Sequence, residues 1–102
     1  MRSVIDVSSG GDLNKLALPG TYALGSGNTY LNLPTGVAGH QAYVETKYLT
    51  SNSTALLQIL TYRVNNEPVV LYRYIDSTSG EPYPQGTLSY RPWYKMAAFT
   101  PV

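Results

Sequence analysis

The sequence predicts a mainly β domain: a small antiparallel β-sheet or sandwich with one short N-terminal helical turn. Three observations carry this. Four stretches rich in β-branched residues, leucine and tyrosine fill the second half, at 41–49, 55–64, 69–75 and 87–95. The links between them are turn chemistry, above all Asn65-Asn66-Glu67-Pro68, where Asn tolerates positive φ and Pro can open a strand. The candidate helical turn is confined to 12–16, between a Ser-Gly joint and Pro19-Gly20.

Taken in order, 2–8 reads as an incoming strand or the end of a preceding region, and Ser8-Ser9-Gly10-Gly11 as a flexible joint. Residues 1–11 are therefore expected to be a strand or linker from a preceding region, and 12–102 the domain itself. Asp12 is a good N-cap, and Leu13 and Leu16 fall on one side of the turn. Short strands follow at 21–24 and 29–33, the second alternating in period two. In 41–49, Ala42, Val44, Thr46 and Tyr48 form the expected core face, because Glu45 and Lys47 lie on the other. Both faces of 55–64 and of 69–75 are largely apolar, which predicts central strands needing a further layer. Either the N-terminal segment or another chain could supply it. Residues 76–86 form the longest irregular connection, of the kind that often carries function. Pro92 cannot donate to a ladder and marks an edge or bulge in the last strand.

The chain has 102 residues and a net charge of +1. That is one domain with no basic field to recruit nucleic acid or an anionic membrane. No apolar run reaches the length of a membrane span. Met1–6 does not read as a secretory leader, and a start placed directly on a strand-like stretch suggests a fragment of a longer chain. With no cysteine, neither disulfides nor thiolate metal sites are available. Charged residues make up 13 % of the chain, against roughly 25 % in typical domains, so part of the surface is expected to be covered. Ten tyrosines stand beside one Phe and one Trp. Tyrosine suits half-wet recognition surfaces, and it is also favoured by strands in general.

Asp12-Leu13-Asn14-Lys15-Leu16, then Pro19-Gly20-Thr21-Tyr22, opens a series of signposts. Gln58-Ile59-Leu60-Thr61-Tyr62, Val70-Leu71-Tyr72-Arg73-Tyr74 and Trp93-Tyr94-Lys95 complete it. Their order resembles the knob-type modules of phage tail fibres and R-type pyocin fibres. In those, an Asp-Leu-Asn turn leads into Pro-Gly-x-Tyr, a closing strand carries Tyr-x-Arg, and the end reads Trp-x-x-Trp-x-Lys. The likeness spans residues 12–95, with Tyr90 where the first Trp is usual and Arg73 preceding Tyr74 rather than Thr. It implies a homotrimer on a virion tail or an extracellular fibre particle. It also implies a role as receptor-binding tip, as structural knob, or as accessory module of a polysaccharide-degrading tailspike. The expected partner is a bacterial surface polysaccharide or lipopolysaccharide, with no cofactor, nucleic acid or membrane insertion.

The expected function is non-catalytic adhesion to such a glycan. A purely structural trimerisation module is the alternative, and a small carbohydrate-active enzyme is a third reading. For the third, Glu45 with Asp76 or Glu81 would have to face each other across a cleft. Capping, turn and ion-pair roles account for the same acids. Sugars present C–H faces to aromatic rings and hydroxyls to polar side chains. Two places offer that combination: Asp76, Tyr83 and Gln85 of the long loop beside Tyr90 and Trp93, and the loop carrying His40. Trp93 could equally anchor the core. Tyr83 could simply be held by its own flanking prolines. No zinc or calcium ligand spacing and no phosphate loop is present.

Overall fold

A computed structural model describes residues 4–50, 54–77 and 88–96. The domain is mainly β: one seven-stranded sheet and a single 3₁₀ turn. The strands are β1 (Val4–Val7), β2 (Gly20–Leu24), β3 (Ala42–Tyr48), β4 (Ala55–Val64), β5 (Glu67–Ser77), β6 (Leu88–Tyr90) and β7 (Tyr94–Lys95). Spatial order follows chain order from β1 to β6, and β7 pairs with β5. Every pair is antiparallel except β1–β2, which is parallel.

The β4–β5 hairpin is the spine. It pairs ten residues of each strand through a two-residue turn whose central residues, Asn65 and Asn66, have φ of 52° and 64°. Positive φ at both positions matches the right-handed twist of the strands, and Asn tolerates it where most residues do not. The last predicted strand is split. β6 and β7 lie along the same edge of β5, and the chain leaves the ladder at 91–93 around Pro92, which has no N–H to give.

Alternation places Tyr22, Leu24, Ala42, Val44, Leu56, Leu60, Leu71 and Ile75 on one buried inner face. Tyr48, expected there, is exposed near the end of β3. The second layer over this face is irregular chain rather than a second sheet. The 3₁₀ turn (Leu13–Lys15) seats Leu13, and the segment between β2 and β3 seats Tyr30, Leu33 and Val37. Asp12 caps the turn, its carboxylate accepting from the Asn14 N–H at 2.9 Å.

Residues 29–33 do not form the predicted strand. Asn32 adopts φ 60°, and the segment's ladder contact is one bridge, Leu31 with Asp12. Tyr30 is buried because its hydroxyl donates to the Val7 carbonyl at 2.8 Å and accepts from the Gly25 N–H at 2.9 Å. The Ser8–Gly11 stretch, read as a flexible joint, is tied in by Gly10 N–H to Thr29 O and Leu31 N–H to Gly11 O.

One rung of the inner face is polar. Thr46, Gln58 and Arg73 stand in register across β3, β4 and β5, all buried. Gln58 Nε2 donates to the carbonyls of Leu13 at 3.1 Å and Leu16 at 3.0 Å, and Thr46 Oγ1 donates to Leu16 O at 2.7 Å. The rung therefore supplies donors to the Leu16 carbonyl at the end of the turn and a second donor to the Leu13 carbonyl, which also accepts from the Leu16 N–H.

The outer face carries Tyr43, Glu45, Leu57, Ile59, Val70, Tyr72, Tyr74 and Tyr94, and no described segment covers it.

Candidate functional site

The polar rung ends at the side chains that close the sheet's far edge. Arg73 Nε donates to Gln58 Oε1 at 2.7 Å. Its guanidinium carbon lies 4.7 Å from the Trp93 ring centre and 5.1 Å from that of Tyr90, within cation–π range of both. Arg73 is only 4 % exposed. Burial lowers its pKa to about 10, against smaller raising contributions from Tyr90 and Asp12, so it stays charged at neutral pH. The Tyr90 hydroxyl donates to the Asn14 carbonyl at 2.9 Å, fastening the edge to the 3₁₀ turn. Arg73 Nη2, Trp93 Nε1 and Asn14 Oδ1 are buried without a hydrogen-bond partner among the described residues. Trp93 is half-buried and packs against the main apolar cluster.

Beside Trp93 the inner face opens into a groove of about 680 Å³, within the range of small-ligand sites. Tyr62, Val64, Val69 and Leu71 supply its floor, Leu33, Pro34 and Thr35 one side, and Trp93 and Lys95 the other. The open floor has a simple cause. The turn between β4 and β5 carries those strands beyond the irregular layer, which reaches only as far as the Leu33–Val37 region. Gly36, at φ +94°, lets that loop pass close to the Tyr62 hydroxyl. A Cβ there would sit 3.4 Å from the hydroxyl oxygen. A second concavity, of about 570 Å³, lies around His40, Gln41, Tyr43, Tyr62 and Asn66. The His40 ring is 5.2 Å from that of Tyr62, so Tyr62 borders both hollows.

The sequence candidates are thus partly gathered. Trp93 and Tyr90 meet around Arg73, and His40 reaches the same end of the inner face through Tyr62. Asp76 is not with them. It pairs with Ser89 while Ile75 pairs with Tyr90, so alternation puts Asp76 on the outer face. There it meets Arg91 at 3.3 Å. Tyr83 and Gln85 lie outside the described residues. Glu45 stands in register with Ile59 and Tyr72, and Asp76 is four residues further along β5. Strand geometry sets those two acids on the order of 15 Å apart, beyond the spacing of a glycosidase pair. Sequence reasoning missed Tyr62, Thr35 and Lys95 as groove residues. Only Lys95 had a signal, standing two residues after Trp93 in a stretch that reads as a strand.

Comparisons with protein-family models, with curated proteins and with solved structures found no match.

Proposed function

We propose that this domain is a non-catalytic adhesion module of a phage tail fibre or tailspike, homotrimeric and displayed on the virion, that binds a bacterial surface polysaccharide or lipopolysaccharide. The observation that carries the reading is the open groove walled by Trp93 and floored by Tyr62, with Thr35 and Lys95 at its rim. Two aromatic surfaces beside hydroxyl and amino donors suit a sugar, which is apolar on its C–H faces and polar at its edges. His40 and Gln41 in the neighbouring hollow offer further polar contacts to a longer chain. The test is a bacterial glycan array probed with the whole chain and with Thr35→Trp, which fills the groove from an exposed loop position. Binding by the parent and its loss in T35W is the expected result; equal binding by both would overturn the assignment.

The outer face favours a second role alongside the first, trimerisation. Tyr43, Tyr74 and Tyr94 are 44 %, 40 % and 53 % exposed, next to half-buried Leu57, Ile59 and Tyr72. Registers place these side chains side by side across β3, β4, β5 and β7. Such a patch suits contact with further copies of the chain. Sedimentation equilibrium decides it: a trimer is expected, and a monomer at micromolar concentration would leave adhesion without assembly.

A further inference from the structure

We propose that the groove selects anionic sugar units, with Lys95 as the residue that reads their charge. This rests on the groove being the glycan site. Among the described residues no carboxylate lines the groove, and Lys95 is the one lining residue charged at neutral pH. Lys95 is exposed and has no ion pair among the described residues. A second cation stands behind the wall. Arg73 follows Leu71 by two residues on the same face of β5, and Leu71 pairs with Lys95. Among the described residues the hydrogen-bond partner of Arg73 is the neutral Gln58 amide, and Asp12 acts on its charge without forming an ion pair. Trp93 lies against that guanidinium and also forms the groove wall.

Two positive charges with no ion pair among the described residues, one exposed and one buried, therefore flank the same indole. In a half-enclosed site such charges are weakly screened. A neutral oligosaccharide would make only the stacking contacts. A unit bearing a carboxylate or a phosphate would make those and an ammonium contact as well. Arg73 acts here by position and charge and need not touch the ligand.

The experiment titrates the quenching of Trp93, the chain's single tryptophan, with capsular and lipopolysaccharide-derived oligosaccharides. Each acidic member is paired with its neutralised form, carboxyl-reduced for uronates and dephosphorylated for phosphates. The expected result is at least about tenfold tighter binding of an acidic member than of its neutralised form. That preference should shrink with added salt and disappear in Lys95→Gln. Lys47→Gln, the same charge change on the outer face, keeps it. The pair that discriminates tells carboxylate from phosphate. Equal affinity within every pair, or an undiminished preference in K95Q, overturns the charge reading and leaves glycan binding standing. Absence of binding by every member overturns both.

Discussion

The two faces of the sheet are both rich in apolar side chains, and they fare differently. The inner face is largely aliphatic, with Leu24, Val44, Leu56, Leu60 and Ile75 at 1 % exposure or less. Tyr22 on this face and Tyr30 of the layer over it are buried and commit their hydroxyls to the Leu18 and Val7 carbonyls. The outer face is built on tyrosines whose rings stay in contact with water. The difference teaches that total hydrophobicity does not decide which side the chain covers. Aliphatic side chains have no polar end to leave in solvent, so the irregular layer closes over them. Tyrosine tolerates being half wet and can wait for another surface.

This contrast can be broken most forcefully at β4, where neighbours point to opposite sides. Leu60→Ala on the inner face is expected to cost about 2–5 kcal/mol, and Ile59→Ala on the outer face about 1 kcal/mol or less, in urea melts of the monomer. Comparable losses would mean that the outer face is already packed. Next comes the polar rung. Gln58→Leu strands the Arg73 Nε and takes one of two donors from each of two carbonyls, at an expected cost of about 1.5–3 kcal/mol. Pairing it with Arg73→Met is expected to recover part of that loss, because the double variant buries no lone charge. A strictly additive double-mutant cycle would rule out coupling along the rung.

At the hairpin, Asn66→Ala is expected to lower stability by about 1–2 kcal/mol through its positive φ. An unchanged melting curve would count against the turn geometry. Tyr74→Lys should leave monomer stability within about 0.5 kcal/mol while shifting sedimentation toward the single chain. No shift in that variant would locate assembly elsewhere. The finest probe is pH. Burial lowers the pKa of Arg73 from its unfolded value to about 10. Above that pH the unfolded state binds more protons than the folded one, so the Arg73 contribution to stability rises with pH. Tyrosines titrate in the same range, so the readout is the difference between parent and R73M. That difference should move in the parent's favour above pH 10, and parallel profiles would remove the effect.

Much of this fold was legible because its signals were local. The bounds of β4 follow from an apolar run ended by Asn65-Asn66, and the capped turn from Asp12 with Leu13 and Leu16 at i, i+3. The 29–33 segment misled because Thr29-Tyr30-Leu31-Asn32-Leu33 alternates as a strand does. Its course is set instead by long-range bonds of the Tyr30 hydroxyl and by Asn32 at positive φ. The parallel pairing of β1 had no sequence signature, since nothing in Val4–Val7 specifies strand direction. At the candidate site, Tyr90 and Trp93 were readable from their spacing near the chain's end. Tyr62 and Thr35 reach the groove from a different strand and from the loop before β3, and only the assembled register brings them there.

Gln58 binds the carbonyls of Leu13 and Leu16 in the helical turn and its cap, 45 and 42 residues upstream, and, in the other direction, a guanidinium 15 residues downstream. The seat of the irregular layer is therefore completed by a strand that comes some forty residues later in the chain.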